Sequence, residues 1–585
     1  MRLVDWIVLC VTLGLVVAYG LWRSRGSRDL NQYTLAGRSM PWYAVALSVM
    51  ATQASAVTFI SMPGQSYVDG MRFVQFYFGL PLAMLILSYT AVPLFHRAGV
   101  FTAYQYLEQR FDLKTGTLVS VVFLIQRGLA LGITLYAPAD VLTVIFGWPD
   151  WQTTLIMGGI AVAFTTMGGV KATAWSHTLQ MLVMTAGLTA ALICAVLLLP
   201  SHVSFGDAVT LAGASGKLNA ITTRFDWNDR YNLWSGLFGG MFLALAYFGT
   251  DQSQVQRYLT GKSIAQSRLG LMFNAIAKIP MQALILFIGA MVYVFYIFQA
   301  PPILFEETEL RRIQAPAVSA SYERVTGVYA SAVAARREAA DRLIDARREG
   351  GAEQIVAAQT EYAQAQLGFE TARRNGAQLA ERVSGKKVND TNYIFLTFVT
   401  RNLPVGVVGL VLAVILGATM SSISSEMNAL ATVSLVNIYK RHVRRSAADR
   451  HYLNVTRLAT LLWGCYAVAS AQYIKRMGSL IEAVNQLGSL FYGGMLGVFV
   501  LAVAFPRVRG RGAFWGVLAG EAVIFTCWQF THIAFLWYNV IGCVAVVLTG
   551  LIVTVVAPGS HGSIGAAGGP PAHSTRLSCR ASGGS

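Results

Sequence analysis

Long apolar runs recur along almost the whole chain, as in "LPLAMLILSYTAVPLF" and "MLVMTAGLTAALICAVLLLP". A helix that crosses a bilayer needs about 20 such residues. In lipid every backbone N–H and C=O must find its partner internally, so only helices and closed barrels span. A barrel would show short, alternating segments, which these runs are not. The chain therefore reads as an all-α polytopic membrane protein. Its composition agrees: 55% of its 585 residues are hydrophobic and 12% charged, about half the charged share of a soluble protein.

The net charge of +17 would point to nucleic acid in a soluble chain. Here the positive residues sit between apolar runs and reflect topology, so no nucleic-acid partner is expected. Five of the six cysteines, Cys10, Cys194, Cys465, Cys527 and Cys543, lie in apolar runs, and Cys579 lies in the tail. They show neither paired metal spacing nor a disulfide framework.

Thirteen spans are expected, at about 4–23, 41–62, 72–96, 117–146, 152–170, 174–199, 232–256, 267–298, 404–438, 453–474, 479–504, 513–530 and 534–556. The first, "VDWIVLCVTLGLVVAYGLW", has its charges after it rather than before, so it reads as a retained helix and not a signal peptide. The basic loops "RSRGSRD", "QRYLTGKSIAQSR", "YKRHVRRSAADRHYLNVTR" and "PRVRGRG" fall on one side. Positive loops stay cytoplasmic, so the N-terminus is expected outside and the C-terminus inside an inner or plasma membrane.

Two segments depart from the apolar pattern. Residues 303–390 are dense in Ala, Glu and Arg and read as two helices joined at Gly350-Gly351, a solvated extracellular hairpin without chemistry of its own. Residues 558–585 are rich in Gly, Ser, Pro and Ala and read as a disordered cytoplasmic tail.

Two spans are poor membrane helices. Small and polar residues crowd Ala51 to Thr58 in the span 41–62, and 232–256 carries a Gly-Gly pair and then a polar second half, "GTDQSQVQ". Interrupted helices at matching places in two halves point to a transporter built from inverted repeats. Five spans follow from each: 41–199 is the first repeat, and 232–302 with 391–504 the second. Residues 1–40 form an extra helix and cytoplasmic loop, 200–231 an outer loop, and 505–557 two extra C-terminal helices. Where a helix unwinds, its carbonyls need protein, water or an ion. Close packing by small residues is the better reading of either helix alone; the register of the two favours the ion.

The stretch "ATMSSISSEMNA", Ala418 to Ala429, lies in the third helix of the second repeat. Ser421 and Ser422 follow Ala418 by three and four residues, one turn along the same face. Hydroxyl and carbonyl oxygens in a dry site are hard donors suited to Na⁺. Helix packing, or serine bonding back to its own backbone, is the alternative.

Several stretches resemble the sodium:solute symporter family in place and order: "YTLAGRSMPWYAVALSVMATQASAVTFISMPGQSYVDG", "TAYQYLEQRF", "GGVKATAWSHTLQ", "VQRYLTGKS" and "SSISSEMNALATVSLVNIYKR". The resemblance implies the LeuT-like inverted-repeat fold and a sodium-coupled symporter that imports a small solute by alternating access. It implies a Na⁺ held by the carbonyls of Ala51, Ala54 and Ala418 and the hydroxyls of Ser421 and Ser422. Ser424 and Ser425 resemble a second sodium site of some members, where this chain has Ser176-His177 in place of a "TD" pair, leaving His177 as a titrating replacement or a structural histidine. For the substrate it implies Tyr247 as an aromatic gate, Lys278 as a pocket lysine, and Thr58, Tyr77, Leu80 and Ala244 as contacts. That pocket is more apolar than a sugar site and keeps a lysine, which suits a small organic anion.

Lys278 is costly in an otherwise apolar span; it is expected to meet either an anionic substrate or Asp251. Glu426 is a functional candidate or one half of an ion pair. A proton-coupled symporter using His177 and Glu426, or a transport-inactive sensor signalling through the hairpin, are the rivals. No nucleophile–base pair, metal cluster or phosphate loop suggests an enzyme.

Overall fold

The computed structural model describes residues 2–24, 30–473 and 479–556; the expected tail at 558–585 lies outside the described residues. Its elements are helical. In chain order the ones used below are α1 (Leu3–Ser24), α2 (Trp42–Gln53), α3 (Ala56–Asp69), α4 (Leu80–Tyr89), α5 (Leu113–Phe146), α6 (Asp150–Leu197), α7 (Gly240–Gly249), α8 (Gln252–Leu259) and α9 (Ile264–Phe298). They continue with α10 (Ser319–Glu349), α11 (Ala352–Ser384), α12 (Thr391–Asn402), α13 (Val407–Val433), α14 (Asp449–Ala471), α15 (Leu480–Ala504), α16 (Gly510–Phe530) and α17 (Leu536–Val556). Among the described residues, nine helical stretches are long and apolar enough to cross a membrane.

Both weak spans are broken. α2 ends at Gln53, and Ala54 (ψ 69°) and Ser55 (ψ 171°) leave helical geometry before α3 resumes. α7 ends at Gly249, and Thr250 and Asp251 (ψ 119°) separate it from α8. The break at Asp251 is capped locally: its Oδ1 accepts from the Ser253 N–H at 2.9 Å and from the Ser253 hydroxyl at 2.7 Å. That satisfies an orphan donor of the new helix start and fastens Asp251 to α8.

α6 has 48 residues, which would run about 72 Å if straight, more than twice the hydrocarbon core. Gly169 (φ 57°, ψ −160°) turns it back. Both limbs lie on α13. The first reaches Ser424 through Thr165, and the second runs antiparallel to α13 from Thr173 at Asn428 to Gln180 at Gly417. The carbonyls freed by the turn are those of Thr165 and Thr166, and the Tyr33 hydroxyl donates to both at 3.1 and 3.3 Å. A Cβ on residue 169 would stand 2.7 Å from the Tyr33 ring, so glycine is needed twice, for the backbone and for the cap. The two expected spans at 152–170 and 174–199 are thus the two limbs on either side of Gly169, joined by a turn of a single residue.

The segment 303–390 corrects an expectation. α10 and α11 pair across Gly350-Gly351, but they are not a free solvated module. Arg336 is 0% exposed: it donates a short hydrogen bond to the Tyr296 carbonyl at the end of α9, and its guanidinium stacks 3.6 Å from the Phe369 ring centroid. Tyr362 meets the Ser215 hydroxyl at 2.7 Å, and Arg348 pairs with Asp207 at 2.5 Å. Arg373 pairs with Asp390 at 2.9 Å and faces the rings of Phe305 and Tyr67, the latter on α3. The polar sequence hid this, because an Ala/Arg helix reads as solvated while a guanidinium can be buried on an aromatic face and a carbonyl. Burial beside Glu309 and Asp140 also raises the Glu306 carboxyl to about 7 where the hairpin joins the bundle. Arg336→Met, which keeps the stem but loses both interactions, is expected to weaken hairpin docking by about 3 kcal/mol. Trypsin cleavage within 319–384 should then speed up while the spans stay intact; unchanged cleavage would mean that the apolar face alone holds the hairpin.

Candidate functional site

The first break and the serine helix lie against each other. Ser421 Oγ is 2.8 Å from the Ala418 carbonyl oxygen and 3.3 Å from that of Ala51. Ser422 Oγ is 3.3 Å from the Thr52 carbonyl oxygen. Ala51, Ala54, Ala418, Ser421 and Ser422 are all buried. The structure thus gathers Ala51, Ala418, Ser421 and Ser422 into one oxygen-rich patch, with Ala54 at the break itself, three residues beyond Ala51. The Thr52 carbonyl belongs to the patch and was not anticipated, although its place next to the break signals it. A hydroxyl that donates to a carbonyl here can rotate and offer a lone pair, so the patch can present carbonyl and hydroxyl oxygens together to a hard cation.

Ser424, Ser425 and His177 are also buried, and the last two both meet the Ser421 backbone. The Thr165 hydroxyl donates to Ser424 at 2.9 Å; Ser425 donates to the Ser421 carbonyl at 2.8 Å and lies 3.3 Å from the Thr52 hydroxyl. His177 Nδ1 faces the Ser48 hydroxyl at 3.0 Å. Among the described residues no hydrogen bond joins His177 to Ser424 or Ser425.

Beside the oxygen patch lies a cavity of about 110 Å³, on the order of ten water-sized positions. Thr58, Tyr77, Leu80, Ala244, Tyr247 and Lys278 all line it, and Ser422 does too, so patch and cavity share a wall. Lys278, from α9, is 1% exposed, and its ammonium lies 5.6 Å from the Tyr77 ring centroid.

Glu426, which lines the cavity, and Asp251 at the second break are taken by a residue that sequence reasoning missed. Arg127 of α5 donates through Nη1 to Glu426 Oε1 at 3.1 Å and through Nη2, in a short contact, to Asp251 Oδ2. Nη2 also donates to the Tyr492 hydroxyl at 2.7 Å, which in turn donates to Asp251 Oδ2 at 3.0 Å. Asp251 is therefore not the partner of Lys278, because it is held by Arg127 at the second break. Glu426, about two turns from the C-terminal end of α13, is the other half of the same ion cluster. An arginine within an apolar span, "LIQRGLA", was the available signal. Among the described residues no ion pair reaches Lys278.

The sequence model of the sodium:solute symporter family matches residues 33–314 and 362–520. The chain belongs to the sodium:solute symporter family. The unmatched stretch between those blocks falls within the hairpin. The symporter is 26% identical over 524 residues to the sodium-coupled monocarboxylate transporter 1 of Xenopus laevis, covering 89% of this chain and 71% of that one. It is 26% identical over 519 residues to the sodium/iodide cotransporter of Homo sapiens, covering 88% and 68%. Its fold is that of a Na⁺-coupled sialic acid symporter solved in a substrate-bound outward-open state, with a TM-score of 0.72 at 21% identity over 95% of this chain and 98% of the other. The protein is a multi-pass sodium-coupled symporter with the LeuT-like fold, and its family is one of transporters.

Proposed function

We propose that this symporter imports a small organic anion, of the size and charge of a monocarboxylate, together with Na⁺. One observation carries the reading: Lys278 and Glu426 both line the cavity, but Glu426, like Asp251 at the second break, is bound to Arg127, and among the described residues no ion pair reaches Lys278. The four groups sum to zero charge. Sodium alone makes the site positive, and a monovalent anion restores neutrality, so in a low-dielectric site each ligand favours the other. The cavity volume suits a molecule of few heavy atoms, and a relative named for monocarboxylates lies among the similar proteins. In this reading Na⁺ is held by Ala51, Ala54, Ala418, Ser421 and Ser422, and Tyr247 closes the pocket.

The basic loops support an orientation with the hairpin and N-terminus outside and the C-terminus in the cytoplasm of a plasma or inner membrane. The test is a thermal-shift series on purified protein with short-chain monocarboxylates, iodide and hexoses, each with and without Na⁺. Ligands of the folded state raise its stability by mass action. Stabilisation by a monocarboxylate that requires Na⁺ is expected; a response to hexoses alone would overturn the anion assignment.

A further inference from the structure

We propose that the membrane face at the start of α5 and the ends of α13 and α15 docks an anionic phospholipid, whose headgroup phosphate is held by Lys114, Arg444, Arg445, Arg507, Arg509 and Arg511. The inference stands apart from the transport reading above. Three stretches distant in sequence are joined on this face. Arg441, in the helical continuation of α13 over Ser434–Val443, pairs with Glu108 at 2.9 Å, and the next residue, His442, meets the Thr117 hydroxyl at 3.0 Å. Arg110 donates to the carbonyls of Phe505 and Pro506, just after α15, at 3.3 and 3.0 Å. The Thr115 hydroxyl donates to the Gly510 carbonyl at 3.2 Å. The loops after α13 and α15 thus both rest on the start of α5.

The same contacts use up the local carboxylates. Glu108 holds Arg441. Asp112 accepts from the Thr115 N–H at 2.7 Å through Oδ1, and its Oδ2 lies where a Cβ on residue 510 would stand. Asp449, exposed at the start of α14, offsets one charge at most. The six cations are exposed, and among the described residues no ion pair reaches any of them. Topology asks only that positive loops lie on one side. It does not ask that they converge, or that the acids among them be spent elsewhere.

The face lies at headgroup depth. Val508 is buried, and Arg509 is extended (φ −104°, ψ 174°), so Arg507 and Arg509 on either side of Val508 project away from the protein. Arg511 and Trp515 are one turn apart on α16, and Trp515 is 56% exposed. Tryptophan is enriched at the membrane–water interface, which puts the arginine one turn nearer the helix start level with the lipid phosphates. Arginine forks bind phosphate through paired hydrogen bonds. Trp515 and the exposed Val503 carry the cationic rim on into apolar surface, so the face offers contacts to a phosphate and to acyl chains together. That combination fits a lipid and not a soluble anion.

Native mass spectrometry of the full chain in detergent, with phosphatidylglycerol and phosphatidylcholine of the same acyl chains, tests the proposal. Phosphatidylglycerol is expected to bind preferentially. Each arginine beside an anionic lipid surface is worth about fivefold, so Arg507→Gln with Arg509→Gln is expected to weaken phosphatidylglycerol by at least about tenfold and leave phosphatidylcholine unchanged. Arg444→Gln with Arg445→Gln, on the other loop, is expected to do the same. Arg97→Gln with Lys262→Gln removes two exposed cations from other basic loops and is expected to change neither lipid. Equal losses in all three double variants would show a diffuse field and overturn the site. Displacement of the lipid by inorganic phosphate, beyond that by chloride of equal ionic strength, would show a soluble-anion site and overturn it as well.

Discussion

Lys278→Met protein is expected to fold, to keep its stabilisation by sodium, and to lose its anion. The change removes a buried ammonium that has no carboxylate partner among the described residues, so the empty protein gains a better-matched apolar wall. The loss falls on the liganded state. Truncating one partner of a buried charge pair costs about 2–5 kcal/mol, which weakens anion binding by about 30-fold to several thousand-fold. The check is isothermal titration with the best monocarboxylate from the thermal-shift series, at saturating sodium. Undiminished affinity in a folded Lys278→Met protein would remove the anion argument. A melting temperature lowered in the absence of any ligand would instead point to a structural partner for the lysine.

The second large effect concerns the ion. Ser421→Ala removes the one hydroxyl that touches both the Ala51 and Ala418 carbonyls. A hydrogen bond or oxygen contact to a charged group is worth about 1.5–3 kcal/mol, so the sodium concentration for half-maximal uptake is expected to rise by about 10-fold to 150-fold. Ser422→Ala, which removes a single contact to Thr52, is expected to have a smaller effect. Sodium dependence measured in proteoliposomes at fixed substrate decides this, and equal sodium dependence in wild type and Ser421→Ala would sink the assignment.

Much of this site was legible in the sequence because its parts are local. A run of small and polar residues in an apolar span marks a broken helix wherever the span packs, and serines three and four residues beyond Ala418 share its face by helical geometry alone. The pocket residues came through the family resemblance and do line one cavity. What could not be read were the partners. Arg127 lies 124 residues from Asp251 and 299 from Glu426, and which helix faces which is settled only by packing. Asp251 looked like a partner for Lys278 because the two lie on successive spans; in the fold it faces α5. The hairpin failed differently. Its helices were plain from composition, but the burial of Arg336 depends on Tyr296 and Phe369 being underneath, and helix propensity carries no sign of that.

Gly169 has a consequence for the whole chain. With the turn, α6 enters the bilayer and leaves on the side from which it came. Without it, the segment would cross once, and everything downstream, from the 200–231 loop and the hairpin to α17, would be assigned the opposite compartment. The basic loops after α8 and α13 would then lie across the membrane from those before α6, so the parity of the protein rests on one backbone conformation that only glycine adopts freely. Tyr33, which caps that turn, reaches it from more than 130 residues upstream.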